Sequence, residues 1–298
     1  MIKFLELCIS GISLGSVYAL VAIGFVVIFK ATRVLSLVHG SLLLLSAYVV
    51  ARAEPTVGFL PAVLLGAAVA VVGAVLVQRV FLERLRRRGA NYIALTMLTV
   101  GLDIILLTEV TRRIGARVYG INNPWGSEVI HWGGFSFPVA RLAGIVVSFS
   151  LIALFFAAFK YTTWGVALRA SADDSHTAAL MGIRQSRVAG AAWAVAGALA
   201  AVAAVFLVAF PAPGLDASTS LVALKAFPAV VLGGLDSASG ALVGGLSVGL
   251  VEVVLSGYGE QLSFLGGGFG SVAPWALVLL VLLVRPSGLF GSKEVARV

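Results

Sequence analysis

Nine stretches of almost uncharged, apolar sequence follow one another along this chain, at residues 4–29, 34–51, 57–77, 92–110, 139–159, 188–210, 218–235, 241–257 and 272–284. About 20 apolar residues in a helix cross the ~30 Å hydrocarbon core of a bilayer. In lipid, only helices and closed barrels satisfy every backbone N–H and C=O group. The pattern therefore predicts an all-α, polytopic membrane protein with about nine transmembrane helices. Charged residues make up 11% of the 298 and apolar ones 60%. A soluble surface draws on about a quarter charged residues, so a soluble, secreted or disordered chain is excluded. Glycine and proline make the segment 215–234 a candidate for a broken or half-membrane helix, which is tolerated where protein covers the freed backbone groups.

The net charge of +8 is read as membrane orientation and not as nucleic-acid binding, because the basic residues collect in short connections between apolar runs. Arg79, Arg84, Arg86, Arg87 and Arg88 follow the third stretch, and Lys160, Arg169, Arg184 and Arg187 follow the fifth. Placing both connections inside puts Lys30 and Arg33 inside, the N-terminus outside, and Arg285, Lys293 and Arg297 in the cytoplasm. Residues 111–138, with Arg112, Arg113 and Arg117, run against this rule. The opening MIKFLELCISGISLGS lacks a basic region followed by a small-residue cleavage site and reads as a retained first span. No Pro- or Ser-rich linker divides the chain, so one membrane domain over residues 1–298 is expected. The single Cys8 forms no internal disulfide, and three scattered histidines supply no Cys/His zinc site. No metal or cofactor is expected.

Motifs for catalysis are sparse. A phosphate-binding G-x-x-x-x-G-K-[ST] loop and an H-E-x-x-H pair are both missing from the sequence. Gly11 to Gly15 matches G-x-S-x-G, but a nucleophile elbow at Ser13 needs a strand–turn–helix setting that an apolar span does not offer. The run GGGFGS at 266–271 lacks the strand and acidic partner of a dinucleotide site and reads as a flexible loop.

Polar residues inside the spans say more, since each is costly in hydrocarbon without a partner or water. Thr96, Thr99 and Asp103 lie at i, i+3 and i+7 on one helical face, and Glu6, Ser10 and Ser13 at i, i+4 and i+7 on another. Each face is either the lining of a substrate path or a set of interhelical hydrogen bonds. His39, in SLVHGS at the edge of the second span, either binds substrate, relays a proton or packs. Gly240, Gly244, Gly245 and Gly249 make two consecutive G-x-x-x-G pairs suited to close helix packing. Glu252 beyond them is either a buried partner, for instance of Lys225, or part of the path. HGSLLLLSAY and SGALVGGLSVGL both place a glycine turn before small residues, a weak internal repeat.

The connection 160–188 is far longer than joining two spans requires. Asp173 and Asp174 precede Ala178, Ala179, Leu180 and Met181, and Gly182 is placed to stop a helix there. The expected form is a short helix on the inner membrane surface, serving as a docking surface.

With these segments in view, the chain resembles the permease subunits of branched-chain amino acid ATP-binding-cassette importers over almost its full length. The resemblance rests on GISLGSVYALVAIGFVVIFKATRVLSLVHGSLLLLSAYV, RASADDSHTAALMGI, AVVLGGLDSASGALVGGLSVGLVE and LLVRPSGLFG, in that order. It implies a second, related permease subunit (the pair being either two copies or two different chains), two cytoplasmic ATPase subunits that supply the missing phosphate loop, and an extracellular or periplasmic substrate-binding protein. It also implies that a cytoplasmic helix enters a cleft in the ATPase, here through Arg169, Ala170, Asp173, Asp174, Ala178, Ala179, Met181, Gly182 and Ile183. Ser13, His39, Thr96, Thr99, Asp103 and Glu252 stand as candidates for the substrate path. Many relatives carry N-F-A-[HQ]-G-[DE] where this chain has Ser36 to Ser41, without the asparagine and the acid. Related permeases are associated with urea and short amides as well as aliphatic amino acids, so the departure bears on cargo. The competing class is a self-sufficient secondary transporter or channel using Asp103, His39 and Glu252, and the long inner connection argues against it.

Overall fold

The computed structural model describes residues 2–121, 125, 128–132, 135–209, 214–216, 219, 224–261 and 268–291. Twelve helices are described: α1 Ile2–Thr32, α2 Val38–Val57, α3 Phe59–Leu76, α4 Glu83–Arg87, α5 Tyr92–Ile114, α6 Val139–Tyr161, α7 Thr163–Asp173, α8 Ser175–Leu180, α9 Gln185–Ala209, α10 Phe227–Gly233, α11 Ala238–Gly257 and α12 Phe269–Val284. A π-helical stretch, Val77–Leu82, joins α3 to α4 without a break in the rod. Among the described residues six segments, against the nine expected from the sequence, are long and apolar enough to cross a membrane: Lys3–Thr32, Phe59–Arg87, Tyr92–Ile114, Val139–Tyr161, Gln185–Ala209 and Ala238–Gly257. This is an all-α, multi-pass membrane architecture.

Three departures from the sequence reading are informative. The stretch 218–235 is no continuous spanning helix. A turn at Lys225 and Ala226 precedes α10, whose seven residues rise only about 10 Å. Pro228 near the start of α10 and Gly234 at φ +101° at its end confine it. Of the glycine run at 266–271, read from sequence as a loop, Phe269 to Ser271 belong to α12, behind Gly268 in the left-handed region, and residues 266 and 267 lie outside the described residues. The connection 111–138 carries a small hairpin, Val129–Trp132 against Phe135–Pro138.

Local chemistry sets the helix boundaries. Asn91 caps α5 by accepting from the Ala94 N–H at 2.8 Å, Thr162 caps α7 through Gly165 N–H at 3.2 Å, and Ser237 caps α11 through Gly240 N–H at 3.0 Å. Gly115, with φ +62°, closes α5.

The chain divides into two compact units, to each of which α1 and α6 contribute a part. Unit 1 comprises residues 1–26, 125–148 and 225–298. Its centre is α11, whose two consecutive glycine pairs serve different neighbours. Gly245 and Gly249 face α1, where a Cβ on Gly245 would lie 2.5 Å from the Ala19 nitrogen and one on Gly15 would lie 2.8 Å from Leu246 Cα. Gly240 and Gly244 face α10, against the backbone of Gly233 and Ala229. Gly15 meets Leu246 and Gly11 meets Leu250, so α1 and α11 run antiparallel. After α12 the chain returns to the end of α10, where Leu289 and Phe290 N–H groups bond the Leu232 and Gly233 carbonyls at 2.9 and 3.1 Å.

Unit 2 comprises residues 27–124 and 149–224. Here α2, α3 and α9 pack mutually, with α5 along α2. Gly66 and Gly73 of α3 meet Val50 and Leu42 of α2, and Gly197 of α9 meets the backbone at Ala70. Val38, Leu42, Ala74, Val77, Leu95 and Trp193 form the buried cluster at the basic end of these helices. Substituting Gly245 by Ala drives a Cβ into the α1 backbone, and overpacking of this kind costs about 1–3 kcal/mol. A thermal denaturation of the detergent-purified protein should show a lowered Tm for Gly245→Ala and little change for Gly101→Ala, where the added carbon meets open space.

Candidate functional site

The buried polar residues of unit 1 are held by one another. Glu252 of α11 accepts from the Lys225 ammonium at 2.7 Å and from the Tyr18 hydroxyl of α1 at 2.9 Å. Only 7% of Glu252 is exposed, and a buried carboxylate of this kind persists because a cation and a hydroxyl satisfy it. Lys225 sits in the turn that breaks the 218–235 stretch. Ser13 is also buried and donates to the Arg141 carbonyl at 3.1 Å, while the Arg141 guanidinium donates to Ser10. The polar face of α1 is thereby covered by the first turn of α6.

In unit 2 the polar face of α5 points at the entrance of α2. Thr99 is buried and donates to the carbonyls of Leu35 at 3.0 Å and Thr96 at 2.8 Å. Asp103, half-buried, lies on the same face of α5 one turn beyond Thr99, and the Ser41 hydroxyl in the first turns of α2 donates to the Val38 carbonyl at 3.0 Å. His39 is fully buried as the second residue of α2. The six candidates thus fall in two groups, Ser13 and Glu252 in unit 1, and His39, Thr96, Thr99 and Asp103 in unit 2. Sequence spacing found the α5 and α1 faces, but not Tyr18 or Arg141, which lie far from their partners along the chain.

The connection 160–188 holds two helices where the sequence suggested one. Arg169 in α7 turns back onto the end of α6, donating to the Phe159 carbonyl and lying 5.2 Å over its ring. Its guanidinium is committed to the fold, and Ala178 is buried. Asp174 caps α8, accepting from His176 N–H at 2.9 Å, Thr177 N–H at 3.1 Å and the Thr177 hydroxyl at 2.6 Å. The Thr177 hydroxyl, then the two backbone donors, hold the Asp174 carboxyl below its ordinary value, so the cap is charged at neutral pH. The far end closes with Gly182 at φ +84° and the bonds Gly182 N–H to Ala179 and Ile183 N–H to Ala178, at 3.0 and 3.1 Å. This paired closure fixes a six-residue helix too short to persist alone.

Fixed at both ends, α8 presents Leu180 and Met181, 75% and 80% exposed, beside Asp173 and Ala179, which are also exposed. An open groove of about 620 Å³ runs alongside, lined by Trp164, Ala167, Ile183, Arg184, Arg187 and other residues of α7 and α9. These exposed apolar side chains on a rigid polar turn form the candidate contact surface. Among the described residues no group of three or more metal-ligating side chains gathers.

Comparison with known proteins agrees with this architecture. Residues 7–284 match the family described as branched-chain amino acid transport system / permease component, and the chain belongs to that family. It is 31% identical to the high-affinity branched-chain amino acid transport system permease protein LivH of Escherichia coli K12, and 29% identical to the corresponding protein BraD of Pseudomonas aeruginosa, with 99% of this chain and 98% of each relative covered. It is 26% identical to the probable branched-chain amino acid transport permease protein LivM of Methanocaldococcus jannaschii, over 76% of this chain and 66% of that one. No solved structure matches. The family is a transport component, and this chain is a permease and not an enzyme.

Removing one partner of a buried ion pair costs about 3–5 kcal/mol, whereas replacing both by apolar groups is often neutral. Lys225→Met should therefore lower the yield of folded protein, and Lys225→Met with Glu252→Met should restore most of it. Size-exclusion profiles and Tm values of the purified variants check this. A folded double variant that has lost transport assigns the pair to the substrate path instead of to packing.

Proposed function

We propose that this chain is the permease subunit of an ATP-driven importer in the plasma (inner) membrane, moving branched-chain or related amino acids inward by alternating access. The observation that carries the reading is α8: a short helix, fixed at both ends, that offers Leu180 and Met181 to a partner. The family match spans residues of both compact units, which supports a single permease domain over residues 1–298 with its coupling segment at about 160–188. The names of the relatives support the cargo, and the SLVHGS departure at Ser36 to Ser41 leaves short amides and urea as related cargo classes.

In the proposed topology the N-terminus is outside, the C-terminus is cytoplasmic, and the chain crosses about nine times. The seventh crossing is the broken stretch 218–235, completed by α10. Two features support it: α1 and α11 are antiparallel, and the ends of α10 and α12 meet through Leu289 and Phe290 near basic Arg285. Two ATPase subunits grip the coupling segments of a pair of permease chains, either two copies or this chain with a second, LivM-like subunit. An external binding protein delivers substrate. ATP-driven closure of the ATPases pulls α8, and the rigid α7–α8–α9 linkage carries that pull to the spans. Binding energy that differs between outward-open and inward-open states is what shifts the equilibrium.

Ser13, His39, Thr96, Thr99, Asp103 and Glu252 are proposed as path-associated residues that act by holding the polar faces together. Asp173, Asp174, Ala179, Met181 and Gly182 are proposed to contact or shape the ATPase interface, with Ile183, Ala178, Ala170 and Arg169 supporting it from behind. The test is co-purification with the neighbouring ATPase. Met181→Asp with Leu180→Asp should cut recovery of the complex at least about tenfold, the scale of losing an apolar anchor, with the permease still folded. Unchanged recovery and unchanged coupling of ATP hydrolysis to uptake contradict the reading.

A further inference from the structure

A second cavity, of about 210 Å³, opens on unit 2 where several chain segments end together. Lys30 lies in the last turn of α1, and Arg33 directly follows that helix. Arg86 closes the span Phe59–Arg87 and Tyr92 opens the span Tyr92–Ile114. Span ends lie at the level of the lipid headgroups, where basic and aromatic side chains gather, so the cavity lies at that level as well. Its remaining wall is the α7–α8 junction, residues 171–175.

Three cations therefore border one small cavity. Among the described residues none of them takes part in an ion pair, since the four pairs present join other side chains. Arg33 donates to the Ala172 carbonyl and Lys30 lies 6.0 Å from the Phe159 ring centre. Two carboxylates share the rim with the three cations; that of Asp174 keeps its charge but directs its oxygens to the first turn of α8. Asp173 remains at the rim, exposed. An independent observation points to a ligand: Ser171, 6% exposed, lines the cavity, and its hydroxyl has no hydrogen-bond partner among the described residues. Buried hydroxyls are almost always satisfied. A free hydroxyl donor beside two guanidinium groups and an ammonium matches the oxygens of a phosphate.

We infer that this cavity binds a phosphate group, carried either by an anionic phospholipid headgroup of the adjacent leaflet or by free phosphate. Because its wall is the junction between α7 and α8, an occupied cavity ties the coupling helix to the ends of α1 and α4. That consequence rests on the import reading; the binding does not.

The test uses the full-length chain, delipidated in detergent and examined by native mass spectrometry with phosphatidylglycerol, with diacylglycerol and with inorganic phosphate. One phosphatidylglycerol should be retained and diacylglycerol should not. Ser171→Ala and Arg86→Gln should each weaken retention, the lost cation by about fivefold, and Asp173→Asn should strengthen it. Retention that inorganic phosphate does not displace assigns the site to lipid. Binding of inorganic phosphate with the same dependence on the variants assigns it to the free anion. Diacylglycerol retained as well as phosphatidylglycerol, no binding of either phosphate ligand, or binding unchanged in both weakened variants overturns the inference. No ATPase enters this measurement, so its failure is distinct from failure of the coupling reading.

Discussion

Apolar surface gains little by leaving lipid for a neighbouring helix, because the lipid tails are as apolar as leucine. Helices in this chain are held instead by close backbone approach and by the pairing of polar groups that lipid cannot solvate. Both devices meet on α11. Its glycines let α1 approach on one side and α10 on another, and Glu252 near its far end joins Tyr18 and Lys225. In unit 2 the same division of labour recurs, with Gly66, Gly73 and Gly197 setting the approach and Thr99 bonding the Leu35 carbonyl just before α2. Polar groups in the spans are thus part of what fixes helix positions, whether or not cargo passes them.

Much of this was legible in the residues. Apolar runs located the long helices, since in lipid each must close its own hydrogen bonds. The G-x-x-x-G spacing announced close packing, and the Asp174 to Gly182 pattern announced a short helix in the inner connection. What stayed hidden has a common physical reason: contact between residues distant along the chain leaves no periodic trace. Tyr18 with Glu252 is one case, and Arg141 with Ser10 is another. The break at Lys225 was signalled only as an excess of glycine and proline, and a partly apolar stretch looks the same whether or not a turn interrupts it. Arg169 illustrates the converse. A position that matches a family motif proved to be engaged with Phe159 behind the proposed contact surface, which is a supporting role.

The connection 160–188 shows how a short helix is made rigid with few residues. A charged cap at Asp174 and a left-handed glycine at Gly182 fix a six-residue helix at both ends. Only a fixed helix can transmit a pull; a flexible loop would absorb it. Its apolar tip at Leu180 and Met181 is exposed, and in the proposed function an ATPase subunit covers it.

Sidedness of that tip is the most direct test. In a Cys8→Ser background, Met181→Cys should react with a membrane-impermeant maleimide in inside-out vesicles, remain unlabelled in intact cells, and become protected when the ATPase is added. Labelling of that cysteine from outside intact cells would place the helix where no cytoplasmic ATPase reaches it and would contradict the account.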